Sequence, residues 1–186
     1  LALAASERAD AFVAEIMSIR PENQSVESAR ILGINLCVVT NVRVDHSDEQ
    51  GATVEEVAEC LAGSVPLAGV LVCPEGEDLP PLRAAALSMG ATVRLAPRRL
   101  PDGLRSLAKD LRYDEFEENL SLALEACRAL GMGDEEALRS MRGATPDLGA
   151  LRSWSWFDGV GGPRVRFVNA FAANDIESSL AVIDRA

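Results

Sequence analysis

The only histidine of the chain, His46, lies in an acidic turn and is the side chain best suited to chemistry. Asp45 precedes it directly and Asp48 follows two positions later. An imidazole beside carboxylates can bind a divalent cation or contact a metal-bound phosphate. The alternative is a turn whose two aspartates hydrogen-bond the local backbone, with an exposed histidine that has no further role.

Glu15 is the second candidate, because it is the one charged residue in the apolar run 11–17 and stands near its end. The run predicts a buried strand. An unpaired buried charge is costly, so a carboxylate at this place needs a cation or hydrogen-bond donors nearby. A salt bridge to an arginine would satisfy it equally well.

Both candidates depend on the strands that carry them. Residues 34–42 predict a buried strand that runs directly into the turn of His46. Ligands of open α/β sheets collect at the carboxyl ends of such strands. If strands 11–17 and 34–42 are parallel neighbours, Glu15 and His46 share one edge of the sheet. A carboxylate and an imidazole beside phosphates would suit Mg²⁺, which uses few protein ligands.

Strands and helices alternate along the first part of the chain. Helices are predicted over 21–33, after the capping pair Thr53 and Glu56, and over 79–89, with strands over 69–73 and 91–96. This rhythm predicts an α/β fold with a mostly parallel sheet flanked by helices. Further helices are predicted over 104–111, 115–130 and 134–142.

A change of pattern near residue 145 predicts a second, smaller α/β domain. The segment 143–149 contains proline and two glycines, which is typical of a domain boundary. Strands 153–158 and 164–168 and a last helix capped by Asp175 follow it. We therefore expect one domain over residues 1–144 and the start of another over residues 145–186. Trp154, Trp156 and Phe157 are expected to form part of its core.

Composition excludes several classes of function. The net charge of the 186 residues is -11, which argues against nucleic-acid binding. No apolar run approaches the ~20 residues of a membrane span. The four cysteines include no Cys-x-x-Cys pair, so we expect buried thiols in a reducing compartment rather than zinc ligands or disulfides.

Four stretches of the sequence together resemble the Mur-ligase superfamily, and most of all the ligase subunit of poly-γ-glutamate (capsule) synthase. They are residues 15–22 (EIMSIRPE), 40–53 (TNVRVDHSDEQGAT), 118–124 (ENLSLAL) and 167–175 (FVNAFAAND). The stretches occur in the family's order and span nearly the whole chain. Residues 1–144 would then be the carboxyl-terminal portion of the ATP-binding central domain, and residues 145–186 the beginning of the carboxyl-terminal domain.

The resemblance implies an ATP-dependent amide ligase with Mg²⁺ and ATP as cofactors. A glutamyl carboxylate would accept the γ-phosphoryl group to form an acyl phosphate, which the amine of glutamate then attacks. Glutamate and the poly-γ-glutamate chain would be the substrates. Membrane-bound synthase subunits would be partners, placing a cytoplasmic protein at the inner face of the membrane through those subunits.

The resemblance also implies roles for particular residues. Glu15 and His46 match the metal site, and His46, Asp45 and Arg43 the catalytic turn. The positions that match nucleotide-contacting residues are Asn41, Asn119, Asn169, Asn174 and Asp175. Two of these positions have a simpler alternative role. Asn119 could be a helix N-cap, and Asp175 could simply be the cap of the last helix.

The chain departs from the superfamily in two respects. The Gly-Lys-Thr or Gly-Lys-Ser phosphate loop is absent, and Lys109, the only lysine, has no adjacent glycine. We therefore expect that loop upstream of residue 1, and a fragment that is inactive alone. The superfamily also usually has aspartate where Asn169 stands. A folylpolyglutamate-type or cell-wall peptide ligase and a non-catalytic binding or scaffold module remain alternatives.

Overall fold

The computed structural model describes residues 2–111, 115–145, 151–169, 171, 173 and 176–185. The chain divides into two compact units, Leu1–Arg98 and Arg99–Ala186. These units are geometric, and the assignment of one domain to residues 1–144 and another to residues 145–186 stays a prediction. Within the described residues, no helix has both the length and the apolar character needed to cross a bilayer.

The first unit is built on a three-stranded parallel sheet in the order β1-β2-β3. Its strands are β1 (Leu36–Val38), β2 (Val70–Pro74) and β3 (Thr92–Ala96). Cys37 lies opposite Leu71, which in turn lies opposite Val93. The predicted α/β class with a parallel sheet flanked by helices is confirmed, and all three strands end at the same edge.

The helices of this unit begin and end at signals that are visible in the sequence. Thr53 Oγ1 accepts a hydrogen bond from Glu56 N, and the Glu56 carboxylate accepts one from Thr53 N, which is the predicted capping box. Gly33, in the left-handed conformation, ends a π-helical turn (Glu27–Leu32). The α-helices are α1 (Ala2–Ser6), α2 (Pro21–Val26), α3 (Ser47–Gln50), α4 (Val54–Ala62) and α5 (Pro80–Met89).

One core joins the sheet to α4 and α5. Leu71, Cys73 and Leu82 are completely buried in it, and Ala58 and Ala86 let the helices approach closely. The remaining buried members are Cys37, Val39, Val42, Val57 and Val65. The turn that carries His46 therefore starts from a residue, Val42, that is fixed in this core.

The predicted strand over residues 11–17 is wrong. Residues 11–19 have no regular secondary structure, and Phe12, Val13 and Met17 are exposed. The N–H groups of Met17 and Ser18 donate to the Glu27 carboxylate, over 3.3 and 2.9 Å. An apolar run supplies the side chains of a strand but not its pairing partner, and no described strand pairs with the outer edge of β1. The strand predicted over 34–42 is also shorter than expected.

The second unit has a helical core of its own. Leu120 and Leu124 of α7 (Glu117–Ala129) pack with Ala137 and Leu138 of α8 (Asp134–Arg142) and with Leu100. An antiparallel ribbon follows, formed by two strands. The remaining elements are α6 (Asp102–Ala108), β4 (Arg152–Phe157), β5 (Arg164–Asn169) and α9 (Ile176–Arg185).

The expectation that Trp154, Trp156 and Phe157 form part of a core is wrong. Their exposed fractions are 45%, 49% and 68%. Trp154 and Trp156 share one face of the ribbon and Phe157 points to the other, because side chains alternate along a strand. The Trp154 ring stacks at 5.6 Å on Phe167, its cross-strand partner. Trp154 thus pairs with an aromatic side chain across the ribbon without being buried.

The four cysteines are free thiols, as predicted, and three of them are buried; Cys127 is half-buried. Burial raises the pKa of Cys37 and of Cys73 to about 11. At pH 8 about one thiol in a thousand would then be thiolate, so we expect both to resist a maleimide until the chain unfolds. Peptide mapping after timed labelling should find Cys127 modified first. Rapid native labelling of Cys73 would contradict this prediction.

Candidate functional site

The turn of His46 begins at the carboxyl edge of the sheet. His46 itself adopts the left-handed conformation, with φ and ψ both 47°, and precedes α3. Its N–H donates to Asp45 Oδ1 over 2.8 Å, and its Nε2 lies 3.6 Å from Asp45 Oδ2. Both side chains are more than half exposed. The imidazole is therefore available to a ligand, with a carboxylate beside it.

The backbone conformation of His46 is itself informative. A non-glycine residue with positive φ is uncommon, and the left-handed region costs it roughly 1–2 kcal/mol. Asparagine or glycine would occupy this conformation more readily. Strain of this kind is typically retained where a side chain is needed in one place. The conformation was not visible in the sequence, and it fits both a functional histidine and the simpler turn in which Asp45 bonds the local backbone.

A second feature of the site, which sequence reasoning missed, is an ion pair between Arg20 and Glu49. Arg20 Nε and Nη2 donate to the two Glu49 carboxylate oxygens over 2.8 and 2.9 Å. Hydrogen bonding from Arg20 lowers the pKa of Glu49. Gln50 Nε2 donates to the Ile19 carbonyl over 3.3 Å. The segment that follows Glu15 is therefore tied to α3, the helix that begins after His46.

Glu15 is exposed and lies in the segment without regular structure. The expectation of a buried strand-end carboxylate is therefore wrong, and burial does not demand a cation there. What remains is an accessible carboxylate five residues before Arg20. Its connection to the turn of His46 runs through the Arg20–Glu49 ion pair.

Two further residues predicted to act with His46 lie in the same turn. Asn41 is exposed and Arg43 is half-buried, on either side of the buried Val42. The first unit thus contains one continuous segment, residues 41–50, with every candidate of the predicted catalytic turn. Sequence reasoning identified this segment from its composition.

Apart from Asn41, the nucleotide-contacting candidates belong to the second unit. Asn119 is exposed and is the third residue of α7, whose N-cap is Phe116, so the N-cap alternative for Asn119 is wrong. Its Nδ2 donates to Glu115 Oε1 over 2.8 Å. Asn169 ends β5, and its Oδ1 accepts from Phe171 N over 3.3 Å. Asn174 and Asp175 lie outside the described residues.

Glu15 and His46, the two side chains predicted to bind a metal, are both exposed. No group of three or more His, Cys, Asp or Glu side chains suited to a metal occurs in the described part of the chain. Mg²⁺ is usually held by one or two side chains together with phosphate oxygens and water. The joint binding of a metal ion by Glu15 and His46 stays a prediction, because the strand expected to bring Glu15 to the edge of His46 does not form over residues 11–17.

Comparison with known proteins gives two matches that cover almost the whole chain. The chain is 36% identical over 185 residues to the capsule biosynthesis protein CapB of Bacillus anthracis, covering 98% of the chain and 38% of that protein. It is 33% identical over 178 residues to the PGA synthase CapB of Bacillus subtilis (strain 168), covering 95% of the chain and 44% of that protein.

The chain spans about two fifths of the length of these relatives. No protein-family model matches it, and no solved structure does. The similarity therefore concerns a part of each relative, and the activity of the whole relatives can only be proposed for this chain.

Proposed function

We propose that this chain, similar over nearly its whole length to part of two CapB proteins, belongs to an ATP-dependent amide ligase of poly-γ-glutamate synthesis. The similarity to capsule and PGA synthase proteins carries the proposal. The accessible His46 turn at the carboxyl edge of a parallel sheet supports it, because ligands of α/β proteins bind at that edge. The resemblance to the Mur-ligase superfamily supplies the reaction class.

The reaction would proceed in two steps. An oxygen of the glutamyl carboxylate attacks the γ-phosphorus of ATP, which gives an acyl phosphate and releases ADP. The amine nitrogen of glutamate then attacks the acyl carbon, phosphate leaves, and the nitrogen loses a proton. Phosphoryl transfer of this type depends on positioning and on neutralising phosphate charge. The chain needs no covalent intermediate of its own.

Glu15 and His46 would hold Mg²⁺, which would neutralise phosphate charge when bound. Asp45 keeps the backbone of His46 in place through the 2.8 Å hydrogen bond from His46 N. The Arg20–Glu49 ion pair would keep the segment of Glu15 near the turn. Arg43 is proposed as a catalytic group within that turn. The proposed nucleotide contacts are Asn41, Asn119, Asn169, Asn174 and Asp175.

The proposed substrates fix the expected surroundings of the enzyme. Free glutamate and the end of a poly-γ-glutamate chain would meet at the acyl phosphate. A growing polyanion has to leave the cell, so membrane-bound synthase subunits are the proposed partners, with this protein on the cytoplasmic side.

The complete polypeptide that carries this sequence is expected to release ADP from ATP only when glutamate or its oligomers are present. Each ADP should be matched by one new amide, detected by mass spectrometry, and NMR should assign the amide to the γ-carboxyl group. ATP binding without glutamate-dependent ADP release would support a non-catalytic module instead. Turnover with a folate or a cell-wall peptide, and not with glutamate oligomers, would support the other ligase classes.

The metal assignment has a readout that is independent of turnover. Mn²⁺, which commonly replaces Mg²⁺, should broaden the imidazole resonances of His46 in histidine-labelled protein, and Glu15→Gln should raise the Mn²⁺ concentration required about tenfold. Glu7→Gln, at an exposed carboxylate in the same unit, is the matched control. Equal broadening in both variants would remove Glu15 from the site.

A further inference from the structure

Glu77 lies where the loop after β2 meets the segment that leads to His46. Its Oε2 accepts a hydrogen bond from Val42 N over 3.0 Å. Its Oε1 accepts one from Arg98 Nη2, also over 3.0 Å. Arg98 Nε donates to the Glu75 carbonyl over 2.9 Å. One carboxylate therefore connects the segments that follow all three strands of the sheet.

The surroundings of Glu77 make this connection stronger than an ordinary surface contact. The Glu77 side chain is only 18% exposed. Hydrogen bonds to an ionised group are roughly twice as strong as neutral ones, and they strengthen where water is largely excluded. Val42, whose N–H donates one of these hydrogen bonds, has its side chain buried in the core.

The loop before Glu77 is shaped to return the carboxylate to the sheet. Gly76 has φ of +88°, a conformation that side-chain-bearing residues rarely adopt. This turn lets the Glu75 carbonyl accept a hydrogen bond from Arg98 while the Glu77 carboxylate accepts hydrogen bonds from Val42 and Arg98. The arrangement involves two residues, Glu77 and Arg98, that the sequence motifs of the family do not include.

We propose that Glu77 and Arg98 are positioning residues for the turn that carries Asn41, Arg43, Asp45 and His46. Glu77 fixes the backbone at Val42, four residues before His46, and Arg98 holds the Glu77 carboxylate against that backbone. The role in catalysis rests on the proposed function of His46. The effect on the turn itself depends only on the hydrogen bonds.

The effect on the turn can be measured without metal, nucleotide or substrate. In the complete polypeptide labelled with ¹⁵N at valine and histidine, Glu77→Leu is expected to shift the amide signals of Val42, Val44 and His46. Glu77→Gln keeps an acceptor for Val42 N–H but loses the charge facing Arg98, so smaller shifts are expected. Glu75→Gln removes an exposed carboxylate of the same loop and should leave the three signals in place.

Function provides the second readout. Glu77→Leu should raise the Mg²⁺ concentration for half-maximal ADP release about tenfold, with Glu77→Gln intermediate and Glu75→Gln within about twofold of wild type. A purely structural role would instead lower the melting temperature of Glu77→Leu and leave the Mg²⁺ dependence unchanged.

The outcomes separate the two proposals. Unshifted Val42 and His46 signals in Glu77→Leu would overturn the positioning role, whatever the activity. Shifted signals with unchanged Mg²⁺ dependence would overturn its catalytic part. If the wild-type protein shows neither Mn²⁺ broadening of His46 nor turnover, the proposed function fails, and the amide shifts still decide whether Glu77 positions the turn.

Discussion

Replacing His46 by alanine in the complete polypeptide is expected to lower glutamate-dependent ADP release about 10- to 100-fold. The imidazole is exposed, lies beside Asp45 and is not part of either described core, so its removal takes away the proposed metal ligand and little packing. The measurement is kcat and KM for ATP at saturating glutamate and Mg²⁺. Glu59→Ala, at an exposed carboxylate of α4 outside the turn, is the matched control.

The backbone of His46 allows a test that separates function from stability. Because its φ is 47°, glycine at this position relieves backbone strain. The free energy of unfolding of His46→Gly should therefore equal that of wild type or exceed it by up to about 1 kcal/mol. The same variant should lose turnover as fully as His46→Ala. Unchanged turnover in both variants would remove His46 from the site.

The sequence predicted those elements of the fold whose signals are local. The helix after Thr53 carries its capping box within four residues, and Gly90 ends the helix that begins at Pro80. Alternation of such helices with short apolar runs is sufficient to predict a parallel sheet, and that prediction is confirmed. Each of these signals lies inside the element that it specifies or directly next to it.

The predictions that failed depended on partners elsewhere in the chain. Residues 11–17 have the apolar content of a strand, yet Met17 and the following residue bond to Glu27 instead of to another strand. Trp154 and Trp156 are aromatic enough for a core, yet they stand on a ribbon with no described layer over them. Composition indicates what a segment could bury and not whether a neighbour is present to bury it.

The candidate site likewise contains residues that the local sequence predicts and residues that it does not. The segment 41–50 could be identified from its own composition, whereas the residues that hold it could not. Arg20 and Glu49 are 29 positions apart, and Val42 and Glu77 are 35 apart. Neither pair has a sequence signature, because any arginine or any backbone N–H could donate to any carboxylate. The structure therefore adds the two fixed points, Val42 before His46 and Glu49 after it, between which the turn is held.

In the second unit, replacing Arg128 by alanine is expected to lower the free energy of unfolding by about 2 kcal/mol near pH 7. Arg128 Nε and Nη2 donate to the two Asp134 carboxylate oxygens over 2.6 and 2.8 Å, and Nη1 donates to Glu125 over 2.6 Å. Glu125 is 8% exposed. Without the guanidinium, the buried Glu125 carboxylate would lose this partner. The hydrogen-bonded link from α7 to Asp134 at the start of α8 would be lost as well.

The pH dependence of this loss has a definite sign. Hydrogen bonding from Arg128 lowers the pKa of Asp134 in the folded protein. A lowered pKa stabilises the fold above the ordinary aspartate value of about 4, and the contribution disappears as pH falls through the lowered value. The difference in free energy of unfolding between wild type and Arg128→Ala should therefore be constant near pH 7 and become smaller below about pH 4.

Hydrogen exchange at the amides of α7 and α8 measures this free energy for the second unit alone. Arg139→Ala, at an exposed arginine of α8, should change it by less than about 0.5 kcal/mol. The double variant Glu125→Gln/Arg128→Met removes the buried carboxylate together with its partner and keeps an apolar stem. Arg128→Ala leaves the buried Glu125 carboxylate without its Arg128 partner, whereas the double variant removes that charge as well, so the double variant should recover part of the stability that Arg128→Ala loses. Equal losses in both variants would mean that the buried Glu125 carboxylate is not what makes Arg128→Ala harmful.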